Sequence, residues 1–260
     1  MTVKSHFTSR FPDGKIIQCD LGQVEVVVAA QLSGDQTLIR LLQDGRDVHK
    51  FMVANIYGEP EEQITKDDPR RRAAKPGTFG ILYGCSANQL SKNTGMDVEW
   101  SKNFIETFYK LFPRIKLWHN YLQEQVELHG ELHMPTGMIL RFKKYPAKFD
   151  WQIRKGIIES YNPPDIKNWP VQSTAQVIMA LWVGKFFRRF GLYNRDKYLM
   201  INEIHDSLML DCRLEYVELA KQHLQESLDR IPQDLEETLG IKMLVPIRGE
   251  IKAGHSWSEV

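Results

Sequence analysis

The sequence predicts an α+β fold, with strands near both ends of the chain and a mostly helical middle. The strands are indicated by short apolar runs that stop at polar residues. One covers 16–19 before Asp20, and two more lie on either side of the polar triplet 205–207. The helices are indicated by amphipathic stretches such as 100–111 and 115–128. A chain of 260 residues usually forms one or two domains around a sizeable core.

Turn-forming residues mark the later elements. A Pro-Thr-Gly turn at 135–137 lies at the centre of 133–142 and predicts a hairpin, and Asn-Pro-Pro at 162–164 ends the helical middle. The elements expected after this point are a helix over 171–189, a hairpin with its tip at 205–206, a helix over 215–228 and a last strand over 243–251.

The segment 70–84 carries the strongest chemical signal. As a helix, it places Arg71, Lys75, Phe79 and Tyr83 four residues apart, and each step drifts by only roughly 40°, so the side chains form one slanting stripe. Two cations, an apolar ring and a phenol would meet the phosphates, sugar and base of a nucleoside triphosphate in that order. The alternative is a solvated basic turn followed by two core aromatics.

Two aspartates add to this signal. Asp20 ends the first predicted strand, and Asp206 lies at the tip of the predicted hairpin; Glu25 is embedded in the apolar segment after Asp20. A lone aspartate at a strand end is usually a turn former or a helix cap. Two of them beside a phosphate-binding helix can instead hold Mg²⁺, which commonly binds through one or two carboxylates plus substrate phosphates.

These three segments resemble motifs A, B and C of the family-A DNA polymerases, the group of bacterial DNA polymerase I and its phage relatives. The family's motif A, Asp-Tyr-Ser-Gln-x-Glu, reads Asp-Leu-Gly-Gln-Val-Glu at 20–25. Motif B, Arg-x-x-x-Lys-x-x-x-Phe-Gly-x-x-Tyr-Gly, is matched in full over 71–84, and motif C, His-Asp-Glu, reads His-Asp-Ser at 205–207. Lesser matches at 46–49, 134–137 and 168–172 extend the resemblance over nearly the whole chain. The replacements in motifs A and C retain both aspartates, so they bear on fidelity and rate more than on chemistry.

The resemblance implies a polymerase palm, built on an antiparallel sheet with helices, and an inserted, mostly helical fingers subdomain. Residues 1–34 would form the first palm segment with motif A, 35–158 the fingers with motif B, and 159–260 the second palm segment with motif C. The family's thumb and exonuclease have no counterpart in these residues. We therefore expect one part of a split, phage-type polymerase, with a second polypeptide that carries the thumb, with or without a 3′–5′ exonuclease.

The implied reaction is template-directed DNA synthesis from dNTPs on a primer–template. Nucleotidyl transfer must activate a primer 3′-hydroxyl and neutralise a leaving pyrophosphate, and two metal ions about 4 Å apart can do both. The resemblance implies two Mg²⁺ ions, replaceable by Mn²⁺, held by Asp20, Asp206 and the backbone carbonyl of Leu21. Lys75 would also protonate the pyrophosphate.

The resemblance also implies contacts to substrate and DNA. The nucleotide contacts are Arg71 and Lys75 on the triphosphate, His49 on the outer phosphates, Phe79 under the deoxyribose, Tyr83 near the nascent pair, and Gln23 and Glu25 nearby. Phe at position 79 implies discrimination against 3′-deoxy nucleotides, and Glu25 would reject ribonucleotides unless it is a buried ion-pair partner. The DNA contacts are Gln172 and Asn168 in the minor groove, where pair geometry can be sensed without reading sequence, His205 at the primer terminus, and Arg141.

Other functions remain as alternatives. A single-subunit RNA polymerase shares the palm and a similar motif B, but Glu25 and Phe79 argue against it because that group needs room for a 2′-hydroxyl. A remnant that binds primer–template without catalysis would need neither aspartate. A hydrolase triad at 205–207 is excluded, since adjacent residues in a strand or tight turn point apart.

Composition is that of an ordinary globular protein, with 42% hydrophobic and 26% charged residues. The net charge of +1 is weak for a protein that binds DNA alone, which favours a partner with basic surface. The cation-rich stretch 141–155 includes Tyr145, Phe149 and Trp151, which would either stack on bases or pack against the body. Three scattered cysteines indicate a reducing compartment, and no signal peptide or long apolar run appears. We expect the cytoplasm, that of a phage-infected bacterium.

Overall fold

The computed structural model describes residues 2–147 and 150–260, without the side chains of Asp150 and Trp151. Its strands are β1 (Lys15–Leu21), β2 (Glu131–His133), β3 (Ile139–Arg141), β4 (Lys144–Pro146), β5 (Glu159–Tyr161), β6 (Tyr198–Ile204), β7 (Ser207–Cys212) and β8 (Gly249–Gly254). Its helices are α1 (Val24–Ser33), α2 (Gln36–Gln43), α3 (Val48–Tyr57), α4 (Pro69–Leu82), α5 (Ala87–Thr94), α6 (Val98–Leu111), α7 (Pro113–His129), α8 (Asp150–Arg154), α9 (Pro163–Phe186), α10 (Val217–Asp229) and α11 (Ile231–Leu239). The predicted α+β class is confirmed.

The chain divides into two compact units. Residues 1–24 and 174–260 form the first, which we call the sheet unit, and residues 25–173 form the second, the helical unit. The sequence placed the boundaries near 34 and 158. That palm and fingers division stays a prediction; the compact units divide within α1 and α9, since nearly all of α1 and the first part of α9 pack with the helical unit.

The sheet unit is built on a four-stranded antiparallel sheet with the strand order β6-β7-β1-β8. All six residues of the central strand β7 are buried. Helix α10 packs on β1 and β8, where Leu224 and Leu228 are buried. The buried Trp182 indole N–H on α9 donates to the Ser227 hydroxyl at 2.8 Å, so the polar atom of this large side chain is satisfied.

The last strand was predicted wrongly. The sequence favoured 243–251, whereas β8 covers Gly249–Gly254. Val245 and Ile247 are buried as an apolar run suggests. Pro246 between them has no N–H for a strand ladder, and the strand begins only after it.

The helical unit begins its helices with side-chain caps. Asp35, Asp47, Asp68, Ser86 and Asp97 precede α2, α3, α4, α5 and α6, and each side chain accepts from a backbone N–H of the first turn. Such a cap contributes about 1 kcal/mol to the helix. These residues explain why the helices start where they do.

The core of the helical unit is aromatic. Phe104, Phe108 and Phe112 are fully buried. Helix α4 is continuous through Pro76, and a Cβ at Gly77 would lie 2.9 Å from the Phe104 ring, so only glycine lets α4 approach α6 this closely. The predicted helices around 100–111 and 115–128 are confirmed as α6 and α7.

The predicted hairpin over 133–142 is confirmed by the pairing of β2 with β3. Leu132 and Leu140 pack against Leu122, Val126 and Ile166 from the adjoining helices. No helix in the described part of the chain is long and apolar enough to cross a lipid bilayer.

Candidate active site

The sheet unit brings the two predicted catalytic aspartates to neighbouring positions. Asp20 on β1 is the cross-strand partner of Ser207, the first residue of β7. Asp206 precedes Ser207, and its carbonyl accepts the Leu21 N–H at 2.8 Å. Strand register therefore brings the backbone positions of Asp20 and Asp206 together at this end of the sheet.

The turn that carries Asp206 is strained. His205 and Asp206 form the two-residue loop between β6 and β7, and His205 has φ 56°. Only the first turn residue is left-handed, as in a type II′ turn, where glycine is favoured. The His205 side chain is 67% exposed, and its Nδ1 lies 3.4 Å from Asp206 Oδ1. Strain in a non-glycine residue is often retained at functional sites.

Gln18 is a neighbour of Asp20 that the sequence analysis missed. The two residues share one face of β1, and Gln18 Nε2 donates to Asp20 Oδ1 at 2.8 Å. Gln18 Oε1 is buried without a hydrogen-bond partner among the described residues. The period of two along a strand was the available signal, because it puts position 18 on the face of position 20.

Glu250 and Ser207 flank Asp20 on its two neighbouring strands. Glu250 is exposed and pairs with Lys252 at 3.2 Å. The buried Ser207 hydroxyl donates to the Ile204 carbonyl at 3.1 Å, so it does not take part in a hydrolase relay. No group of three His, Cys, Asp or Glu side chains arranged to hold a metal ion occurs in residues 2–147 and 150–260.

Two more residues of motif A are described here. Leu21, whose carbonyl was predicted to bind metal, has a buried side chain. Gln23 has φ 52°, so the backbone is left-handed just before α1 begins. The neighbouring Cys19 faces the opposite side of β1; burial and then the nearby Asp20 charge raise the pKa of its thiol to about 12.

The helical unit carries the predicted triphosphate stripe on α4. Lys75 is exposed, while Arg71, Phe79 and Tyr83 are half-buried. Tyr83 caps the C-terminal end of α4, and its ring lies 6.4 Å from that of Phe79. The four side chains thus follow one helix face, as the spacing predicts, and the aromatic rings are not core residues.

Arg71 is held by an acid that the sequence analysis did not single out. Its Nε and Nη2 donate to Asp47 Oδ2 at 2.8 and 2.6 Å, and its Nη1 donates to the Lys66 carbonyl. Burial raises the pKa of Asp47, but the hydrogen bonds from Arg71 and the backbone of Lys50 outweigh it, so the pKa is lowered. The cap position of Asp47 ahead of α3 was the available signal.

His49 is buried rather than presented to solvent, with 1% of its surface exposed. Its Nδ1 lies 3.3 Å from the Thr78 hydroxyl, which itself donates to the Ala74 carbonyl, so Nδ1 carries the proton. Nε2 is buried without a partner among the described residues. Burial lowers the pKa of His49 to about 4 and keeps the imidazole neutral.

Glu25 and Tyr83 form a side-chain hydrogen bond within the helical unit. Burial, then the hydrogen bond and charge of Glu25, raise the pKa of the Tyr83 hydroxyl. A protonated phenol therefore donates to the Glu25 carboxylate. This contact differs from the ion pair considered as the alternative for Glu25.

The predicted DNA contacts lie on α9 and β3. Asn168 and Gln172 are one turn apart on α9; Gln172 is exposed, and Asn168 Oδ1 is buried without a partner in the described residues. Arg141 is exposed, with its Nε 3.3 Å from Glu131. Tyr145 is exposed. The possible stacking residues Phe149 and Trp151 lie outside the described positions or side chains.

Lys167 supports the end of motif B. Gly84 has φ 73°, and a Cβ there would lie 2.6 Å from the Lys167 stem. Burial lowers the pKa of Lys167. Nothing in the sequence linked these two residues, because 83 positions separate them.

Comparisons with known proteins identify the family of this chain. Residues 1–259 match the model of DNA polymerase family A. The thermostable DNA polymerase I of Thermus aquaticus is 30% identical over 242 residues, which are 93% of this chain and 27% of the relative. DNA polymerase I of Streptococcus pneumoniae is 28% identical over 259 residues, 99% of this chain and 27% of the relative. This chain thus spans about a quarter of the length of these relatives.

A solved structure has a similar fold. The polymerase domain of Pol1 from M. smegmatis, in complex with DNA primer-template and dNTP, matches with a TM-score of 0.79 and 19% sequence identity. The match covers 99% of this chain and 42% of that one. At this identity the match supports the fold alone.

Proposed function

Because this chain belongs to DNA polymerase family A, we propose that it carries out template-directed DNA synthesis by nucleotidyl transfer from a dNTP to a primer 3′-hydroxyl. The observation that carries the proposal is the β1–β7 register, which puts Asp20 and Asp206 side by side. The sheet unit would be the palm and the helical unit the fingers.

The carboxylate pair fits a magnesium site. Asp20 and Asp206 offer hard oxygen ligands, and both are at least partly exposed, so substrate phosphates and water can complete the coordination. The Leu21 carbonyl is the proposed backbone ligand. Mg²⁺ ions bound there would supply Lewis-acid activation of the primer hydroxyl and charge neutralisation at the leaving group.

The chain's own cations would bind the triphosphate. Arg71 offers a guanidinium fixed in place, and Lys75 offers an exposed ammonium without an ion pair in the described part of the chain. Lys75 is therefore the proposed proton donor to the pyrophosphate. His49 has to leave its buried position, or α3 and α4 have to shift, before it can contact an outer phosphate.

The remaining residues would select substrate and hold DNA. Phe79 would pack under the deoxyribose, and Glu25, held by Tyr83, would fill the space of a 2′-hydroxyl. The proposed DNA contacts are Gln172, Asn168, His205 and Arg141, and Gln23 is a proposed nucleotide contact.

Primer extension tests the proposal. The purified chain is given Mg²⁺, a primed template and dNTPs, with rNTPs in a parallel reaction and Asp206→Asn as the inactive control. Template-directed dNTP addition that disappears in the variant supports the proposal. Preferential rNTP addition would support an RNA polymerase instead.

The same assay tests the predicted thumb-bearing polypeptide. Extension by the chain alone would remove the need for a partner. Extension only when a second polypeptide that carries a thumb is added would support the split arrangement. Primer–template binding without extension under either condition would support the non-catalytic alternative.

A further inference from the structure

Asp47 uses its two carboxylate oxygens for different tasks. Oδ1 accepts from the backbone N–H groups of His49 and Lys50 at 2.9 and 3.1 Å and so caps α3. Oδ2 accepts from two nitrogens of Arg71 on α4. One side chain therefore fixes both the start of α3 and the orientation of a cation on the next helix.

We propose that Asp47 is a positioning residue that presents Arg71 to the triphosphate of the incoming nucleotide. The inference rests on the proposed function, in which Arg71 binds that group. Asp47 itself would not touch the nucleotide.

The hydrogen-bond inventory of Arg71 supports a presenting role. A guanidinium has five N–H donors. Asp47 takes one on Nε and one on Nη2, and the Lys66 carbonyl takes one on Nη1. Two donors, one on each terminal nitrogen, remain without a partner among the described residues, enough for a bidentate contact with phosphate oxygens.

The low exposure of the Arg71–Asp47 pair shows that the orientation of the Arg71 guanidinium is already restricted in the protein without nucleotide. The Arg71 side chain is only 19% exposed and that of Asp47 23%. A free arginine at the protein surface samples many rotamers, and ordering it on binding lowers ligand affinity. Asp47 removes that freedom before the nucleotide arrives.

The adjacent Arg70 also pairs with a helix-capping aspartate, but it has no proposed role in binding the triphosphate. Asp68 caps α4 and binds Nε and Nη2 of Arg70, which also pairs with Glu59. Arg70 lies outside the stripe of Arg71 and Lys75. Asp68→Asn is therefore a matched control, since it removes the arginine ion pair of another capping aspartate in the same region.

The experiment measures the dissociation constant of dNTP, with KM and kcat, for the complex that extends primers. Asp47→Asn keeps a side chain that caps a helix well but loses the ion pair. We expect dNTP binding to weaken about tenfold, the cost of ordering one arginine. Asp68→Asn should leave the dNTP dissociation constant within about twofold of the wild type. Its change in melting temperature should be similar to that of Asp47→Asn.

Arg71→Ala separates the inference from the proposed function. If Arg71→Ala leaves dNTP binding unchanged, the proposed role of Arg71 fails. If Arg71→Ala weakens binding but Asp47→Asn does not, this inference alone is overturned. Tighter binding in Asp47→Asn would also overturn it, because Asp47 would then compete with phosphate.

The double variant provides the decisive readout. In an Arg71→Ala background, Asp47→Asn should have no further effect on dNTP affinity, because Asp47 acts through Arg71. An undiminished effect in that background would mean that Asp47 supports the fold of α3 instead, and would overturn the inference.

Discussion

The carboxylates of the sheet unit and the cations of the helical unit are positioned in different ways. Asp20 and Asp206 are set by strand register and a two-residue turn, and their only side-chain partners among the described residues are Gln18 and His205. Arg71 is set by helix periodicity but oriented by Asp47 from another helix. We infer that substitutions at the carboxylates change chemistry with little effect on folding, whereas substitutions around the cations change both.

Asp206→Asn tests the chemical side of this comparison and has the largest expected effect. Loss of one carboxylate charge should lower DNA synthesis on the order of 10³-fold, because preorganised charge is a large part of such catalysis. The melting temperature should stay close to wild type, since Asp206 is 40% exposed. The measurement is single-nucleotide incorporation alongside thermal unfolding.

Glu203→Gln on β6 is the matched control, an exposed carboxylate of the same hairpin. It should retain activity. Equal loss in both variants would show that the hairpin's overall charge matters and not the position of Asp206.

Acid should destabilise the helical unit more than the sheet unit, where burial lowers the pKa of one partly buried histidine, His223. Burial lowers the pKa of His49 to about 4 and that of His119 to about 3. The unfolded chain takes up protons on these imidazoles from about pH 6.5, while the folded protein does not, so stability falls as pH drops through this window. Below about pH 6.5, each histidine should lower the free energy of unfolding by about 1 kcal/mol for each pH unit.

Hydrogen exchange at pH 7, 6 and 5 measures this effect by comparing protection in α3 and α7 with that in β1 and β7. His119→Gln should reduce the pH dependence, and His129→Gln, an exposed histidine on the same helix, should not. Equal acid sensitivity in both units would contradict the expectation.

Gln18→Met tests whether the Gln18 side chain orients the Asp20 carboxylate, as Asp47 is proposed to orient Arg71. The substitution keeps the shape but removes the 2.8 Å hydrogen bond to Asp20. Partners behind a metal ligand typically contribute 10–100-fold to affinity, so Mn²⁺ binding should weaken about tenfold. Electron paramagnetic resonance of free Mn²⁺ gives the affinity without requiring activity.

Gln225→Met is its control, because Gln225 makes a hydrogen bond of the same length to Asp229 on the exposed face of α10. Unchanged Mn²⁺ affinity in Gln18→Met would mean that the register alone positions Asp20.

His205→Gly has the smallest expected effect. Glycine should relieve the left-handed strain and stabilise the protein by about 1 kcal/mol, while primer–template binding weakens. Asp13→Gly, at another left-handed position with φ 54°, should stabilise without changing DNA binding. Stability comes from thermal unfolding and affinity from fluorescence anisotropy; equal DNA binding in both variants would argue against a role for His205.

The sequence predicted the parts of the fold that depend on local pattern. The hairpin around Asp206, the strand before Asp20 and helices α6 and α7 follow from periodicity and turn residues. The last strand was misplaced because Pro246 blocks pairing in an apolar run. The unit boundaries within α1 and α9 have no local sequence signal, because the packing of these helices is a tertiary property.

For the candidate site, too, the sequence predicted what depends on local spacing and missed contacts between distant residues. Motif spacing predicted the stripe on α4, but not the partners of its residues. Asp47 and Arg71 are 24 positions apart, and the burial of His49 depends on Thr78 from a different helix. Such partners become visible only when the helices are packed.

The sheet order also has a consequence for synthesis of the protein. β1 pairs with β7 and β8, which are made only after the whole helical unit, whereas neighbouring helices of the helical unit contact each other soon after they appear in the chain. Contacts between distant residues form slowly, and chains fold from the N-terminus as they emerge from the ribosome. The helical unit can therefore fold early. The edges of β1 stay unpaired until residues 207–254 have been made, and an unpaired strand is a segment that a chaperone can protect from aggregation.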